Sequence, residues 1–129
     1  MVHAARVGYE RLLVTFANDP KAQALAVEYV SRLHPCYEWE GYHDCPEREA
    51  SFATAYLSAH SDSPFKDYLP LLAAHRWLCA AEGYDYEKRA DDAARSRREY
   101  QSAISTAHRS ASLLVRTAAQ ALEARGRCH

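Results

Sequence analysis

Apolar residues recur at three- and four-residue intervals along almost the whole chain, the period of a helix with one buried face. No stretch of useful length alternates apolar and polar positions as a half-buried strand does. Val2, Ala5, Tyr9, Leu12, Leu13 and Phe16 line a first predicted helix over 2–17. Asn18-Asp19-Pro20 stops it and starts a second, since Asp19 can accept from exposed backbone N–H groups and Pro20 suits a first helical position. The second helix, Pro20 to Leu33, carries Ala22, Leu25, Ala26, Tyr29, Val30 and Leu33 on one face. It should pair antiparallel with the first.

His34-Pro35 ends that helix, because proline disfavours helical geometry in the residue before it and lacks the N–H a further turn needs. An irregular insert over 34–46 follows. Pro46 then opens helix three, with Glu47 and Glu49 at the positive end of its dipole and Ala50, Ala53, Tyr56 and Leu57 facing inward, to about His60. Ser61-Asp62-Ser63-Pro64 stops and restarts the chain, with Ser63 as the expected N-cap of helix four. Two stripes, Leu69, Leu72, Arg76, Cys79 and Tyr68, Leu71, His75, Leu78, Glu82, give this helix a wide apolar arc, so it should be central. Pro70 bends it or marks a later start, and Gly83 with Tyr84-Asp85-Tyr86 marks its expected end. Helix five, from about Arg89 or Asp91, is read inward through Ala90, Ala93, Ala94, Arg97, Tyr100, Ile104 and Ala107. Ser110 or Ser112 caps a sixth helix carrying Leu113, Leu114, Ala118, Ala121 and Leu122, which Gly126 would end; alternatively, helices five and six are one.

Composition reinforces this pattern. With 129 residues, 48% of them hydrophobic and only four Gly, the chain can bury one real core and prefers helix nearly everywhere. The expectation is one domain over 1–129, all-α, with five or six helices in antiparallel hairpins, as a tetratricopeptide-like array or an irregular bundle. A formal net charge of −1 lacks the basic excess of a nucleic-acid binder. Acids dominate from Cys36 to Tyr68 and arginines from Lys88 to Arg127; the simplest account is that the two regions face one another or are solvated. No run approaches the roughly 18 apolar residues of a membrane span, and no export signal precedes the first helix, so the chain is expected to be soluble.

Tyr56, Ala59 and Pro64 have the spacing of the second half of a tetratricopeptide repeat, in which an aromatic, a small residue and a proline close one helical hairpin. The run from Ala55 to Phe65 also resembles a turn of helical-repeat proteins of the bacterial envelope. The resemblance is confined to 55–65; Cys36, Trp39, Glu40 and His43 stand where the repeat's first helix would lie, and no second period follows. It implies helix hairpins and, by analogy, a peptide- or protein-binding surface.

The insert concentrates the unusual chemistry. His34, Cys36, His43 and Cys45 are an acceptable tetrahedral zinc set by identity, although a one-residue gap points consecutive ligands apart. A Cys36–Cys45 disulfide ranks ahead of zinc: it would pin both ends of the insert and contribute on the order of 2–3 kcal/mol by closing about ten residues. Reduced thiols half-buried beside Trp39 are a reading that stands level with the disulfide. Cys79 reads as a small core residue and Cys128 as part of a mobile tail, with a Cys79–Cys128 pairing left open. His75 and Cys79 have metal-ligand spacing, but a core histidine satisfied by a neighbour is the preferred account.

Carboxylates Glu38, Glu40, Asp44, Glu47 and Glu49 with His43 could supply an acid and a base, and His43 with Cys36 or Cys45 a nucleophile pair. No glycine-rich oxyanion loop, phosphate cradle or His-Glu-x-x-His accompanies them. The preferred reading is therefore a non-catalytic protein-interaction or structural module without cofactor, binding a protein or peptide through Trp39, Tyr42, Arg97 and Arg98. Its rivals are a zinc-binding or redox-sensing domain, or a metal- or cysteine-dependent enzyme, centred on 34–49. A paired Cys36 and Cys45 would place it in the periplasm or outside the cell, and free thiols in the cytoplasm.

Overall fold

A computed structural model describes residues 20–32, 35–36, 39–63 and 65–129. Among them every regular element is a helix: α1 (Pro20–Ser31), α2 (Asp44–Ala59), α3 (Leu69–Tyr86), α4 (Ala90–His108) and α5 (Leu113–Arg125). The expected helix over 2–17 and residue His34 lie outside the described residues.

α3 is the axis. Every residue from Leu69 to Ala81 is buried, and α1, α2, α4 and α5 all pack on it. Its alanines at 73, 74, 80 and 81 let neighbours approach closely, while Leu71, Leu72 and Leu78 supply most of its apolar volume. Each such leucine stabilises the fold by about 1.5–3 kcal/mol relative to exposure. From α4 come Tyr100 and Ile104, from α5 Val115 and Leu122, and from α1 Val27 and Val30. Among the described residues α2 and α4 do not pack on each other, so they stand either side of α3 with a groove between them. No helix among the described residues is long and apolar enough to cross a membrane.

Several boundaries differ from those expected, each for a local reason. α1 ends at Ser31 rather than Leu33. The chain after Ser63 makes a turn over 65–68, with Ser63 Oγ accepting from the Phe65 N–H (3.1 Å), and α3 starts at Leu69 with Pro70 in its first turn, the later start that proline favours. Gly83 does not end α3, which runs on to Tyr86; a Cβ at Gly83 would lie 2.6 Å from the His43 backbone nitrogen, so glycine is there to let the insert lie against the helix. α4 and α5 are separate. Ser112 caps α5 by accepting from the Val115 N–H (3.3 Å), and Ser110 Oγ accepts from the Ser112 N–H (3.0 Å) while donating to Asp67 (3.0 Å). Gly126, at φ 68°, ends α5 as expected.

Two helical faces match the expected ones in part, with Ala93, Tyr100, Ile104 and Ala107 of α4 and Leu122 of α5 buried as read. α4 buries Ala93, Ser96, Tyr100, Ile104 and Ala107, leaving Ala90, Ala94 and Arg97 exposed. α5 buries Val115, Ala119 and Leu122, on the face that packs on α1, α3 and α4, while Leu113 is 68% exposed.

Candidate functional site

The insert folds around a buried guanidinium. Arg76, 1% exposed in the middle of α3, donates through Nε to Glu49 Oε2 (2.6 Å) and through Nη1 to the carbonyls of Val30 (3.2 Å) and Arg32 (2.8 Å). Those carbonyls belong to the end of α1, where helical C=O groups lack partners and a cation is favoured. The other Glu49 oxygen accepts from the Cys36 N–H (3.0 Å), so one ion pair joins α1, the insert, α2 and α3. Cys36, in left-handed backbone geometry at φ 54°, is paired with Cys45 in the first turn of α2, Cα to Cα 5.9 Å. That bond consumes both thiols, so the Cys2His2 zinc set of His34, Cys36, His43 and Cys45 is not formed in this structure: neither sulfur offers a thiolate, and His34 lies outside the described residues.

His43 is engaged elsewhere. Its Nδ1–H and its backbone N–H both donate to Glu87 Oε2, at 2.6 and 2.9 Å, and its ring stacks on Tyr84 at 4.2 Å. Burial raises the Glu87 carboxyl, but the two hydrogen bonds and the charge of His43, with Arg89 nearby, outweigh it and hold the acid below its ordinary range. Tyr84 donates to Glu47 and receives a hydrogen bond from Arg95 (3.3 Å). Its hydroxyl is pushed up to about 12, first by burial and then by the bond to Glu47. Arg95 also reaches Glu47 (3.6 Å), so an acid of α2 and a base of α4 meet across the end of α3. The acidic and basic regions do face one another at this point.

A second cluster lies further along the same face of α3. Cys79 is paired with Cys128, Cα to Cα 4.8 Å. Both are buried, so the expected mobile tail is in fact docked in the core. His75 Nε2–H donates to the Cys128 carbonyl (2.8 Å), Arg125 Nη2 donates to the same oxygen (3.0 Å), and Glu82 Oε2 accepts from the Cys128 N–H (2.7 Å). Arg76 also donates to His75 Nδ1. Burial, then the adjacent Arg76 charge, lowers His75 to about 3 against the weaker pull of the Cys128 carbonyl, so the ring is neutral at physiological pH.

The residues expected to bind a partner are divided. Trp39 is half-buried, donates from Nε1 to the Tyr42 carbonyl (2.6 Å) and meets the His129 ring edge-on at 6.1 Å. Tyr42 is 46% exposed and meets Tyr86, itself 68% exposed, edge-on at 5.8 Å. Arg97 is held by Asp85, which lowers the carboxyl and raises the guanidinium, the hydrogen bond between them being the main cause. Arg98 is exposed, one turn before Ser102 on the side of α4 that borders the groove. The groove, about 110 Å³, has Leu69, Pro70, Ala73 and Trp77 as its floor, Ala53, Thr54 and Leu57 as one wall, and Glu99, Ser102, Ala103 and Thr106 as the other.

No protein-family model, curated protein or solved structure matches the chain. Geometry therefore carries the functional reading alone. Sequence reasoning missed Glu49, Glu82 and Glu87 as partners of buried or half-buried groups. For Glu82 a signal existed: His75, Cys79 and Glu82 fall at i, i+4 and i+7, one face of a helix. For Glu87 and Glu49, whose partners are 44 and 27 residues away, none did.

Proposed function

We propose that the chain is a non-catalytic helical interaction module for an oxidising compartment, built of helical hairpins in the manner of tetratricopeptide arrays, which holds a protein or peptide segment in the groove between α2 and α4. The observation that carries this reading is the groove itself: helices either side of α3 leave Ala73 and the edge of Trp77 as an apolar floor, rimmed by Thr54, Ser102 and Thr106 hydroxyls. An apolar anchor side chain set among a few polar groups is the usual composition of a peptide site. Arg98, with no ion-pair partner among the described residues, would meet a carboxylate flanking that anchor, as charge complementarity across an interface favours.

The buried polar chemistry supports a scaffold role. Arg76 with Glu49 and Cys79 with Cys128 connect segments distant in sequence, Cys36 with Cys45 closes the insert, and the paired sulfurs fit an extracytoplasmic setting. A photo-crosslinking residue at Ser102 is expected to trap one partner, and Thr54→Trp, which fills the groove from its exposed wall, to abolish the product while leaving the circular-dichroism melt in place. Equal crosslinking from Ser102 in the filled variant, or from a control position at Gln120 on α5, would sink the proposal.

A further inference from the structure

We infer that the Cys79–Cys128 bond is the oxidised form of a zinc site composed of His75, Cys79, Cys128 and one of Glu82 or His129. A ring nitrogen of His75 and the sulfurs of Cys79 and Cys128 lie within 4.8 Å of one another, and so do a Glu82 oxygen, the Cys128 sulfur and a His129 nitrogen. Cys128 thus sits between two donor groups that share it. Three of the donors come from one face of α3 at 75, 79 and 82, a rigid base; the other two come from the non-helical stretch after Gly126. Two thiolates with two further nitrogen or oxygen ligands is a set zinc accepts.

The bonds around Cys128 keep it in place when the sulfur–sulfur bond is cut. Its carbonyl is held by His75 and Arg125 and its N–H by Glu82, none of which involves sulfur. Two sulfurs on one tetrahedral zinc stand about 3.8 Å apart, from a Zn–S distance of about 2.3 Å. The change from the disulfide is therefore a displacement of under about 2 Å, which the non-helical 126–129 stretch can absorb. His75 offers Nδ1: Arg76 can release it and keep Glu49 and the two α1 carbonyls, while Nε2–H stays on the Cys128 carbonyl. A zinc-bound imidazole usually donates its other N–H in this way. With His129 as the fourth ligand charge closes, since two thiolates neutralise the ion and Glu49 neutralises Arg76; with Glu82 the one added negative charge lies beside Arg125, which donates to the Cys128 carbonyl.

The step balances with a dithiol reductant. The reductant gives two electrons and two protons to the Cys79–Cys128 bond, leaving two thiols and becoming a disulfide itself; zinc then binds the two thiolates and the two thiol protons pass to water. The same position is thereby closed by a covalent bond when oxidised and by a metal when reduced.

The test uses the full chain, reduced with a phosphine that does not compete for metal, and titrated with Co2+ and Zn2+ under circular dichroism. One Co2+ per reduced chain with sulfur-to-cobalt charge-transfer absorption, and none for the oxidised chain, is expected. The band should survive Cys36→Ser with Cys45→Ser and be lost in Cys79→Ser and in His75→Ala; Glu82→Gln and His129→Ala identify the fourth ligand by which one weakens binding at least tenfold. If the reduced chain unfolds, refolding by Zn2+ that requires His75 supports the site. Absence of metal uptake, uptake unchanged in Cys79→Ser, or uptake lost only in the Cys36 and Cys45 variant would each overturn it.

Discussion

The two disulfides do different work although loop entropy barely separates them. Cys36–Cys45 spans nine residues and Cys79–Cys128 spans 49, yet chain entropy values them at about 3 and about 4 kcal/mol, because the dependence on loop length is logarithmic. Their surroundings differ far more. The first closes an irregular connection at the surface, with Cys45 half-buried. The second is wholly buried and fixes a segment that has no helix of its own to dock it. Burial and the partners around each sulfur, rather than the length of chain enclosed, decide what each bond holds.

The largest test of this contrast is Arg76→Ala, which removes the side chain that touches the last carbonyls of α1, Glu49 and His75 together. It leaves a buried carboxylate without its cation and should cost about 3–5 kcal/mol in urea unfolding. A loss below about 1 kcal/mol would mean the junction is not held by this pair. Next come the disulfides. Cys79→Ser with Cys128→Ser should lose about 4 kcal/mol, and Cys36→Ser with Cys45→Ser about 3. Peptide mapping of partly reduced protein should find Cys36 and Cys45 labelled first, since a reductant reaches the half-buried Cys45 before either buried sulfur. Labelling in the reverse order would break the contrast.

Smaller effects sharpen it. Gly83→Ala forces the insert backbone off α3, so it should cost about 1–3 kcal/mol, raise amide exchange around His43, and leave exchange around Cys128 unchanged. For pH the sign follows from His75. The unfolded chain takes up a proton near pH 6.5 that the folded chain refuses down to about 3. Stability is therefore full above about 6.5 and falls as the pH drops through that window, by up to about 1.4 kcal/mol per unit. Between pH 7 and pH 5 the native chain should lose about 2 kcal/mol more than His75→Asn; parallel curves for the two proteins would remove His75 from the account. Arg97→Ala is the weakest case. Its pairing with Asp85 is exposed, so the unfolding midpoint should move by less than about 1 kcal/mol.

Much of the helical layout was legible because it depends on neighbours in sequence. The stops near Pro35, Ser61 and Gly126 and the central character of the 69–82 stretch follow from proline geometry, capping and apolar spacing. The inward face of α4 was legible in part, since Ala93, Tyr100, Ile104 and Ala107 are buried as read; what spacing could not exclude were Ala90, Ala94 and Arg97, nor could it include Ser96, because the fit against α3 selects among neighbouring positions. At the site, Cys36 and Cys45 could be matched by their position at the two ends of one insert. The docking of Cys128 against Cys79 could not, since nothing near residue 128 in the chain indicates what lies beside it in space.

By itself, then, the sequence determined an all-α chain with a proline-bounded insert and a central third helix of the described set with a wide apolar arc, because backbone preference and periodicity act within a few residues. Tertiary structure alone decided that Gly83 is a contact surface rather than a helix end and that Arg76 closes the end of α1. It also decided that four cysteines form two pairs of unlike burial. Apart from the Cys36–Cys45 pair, these outcomes rest on groups 27 to 53 residues apart, whose meeting depends on how whole helices pack and not on any local pattern.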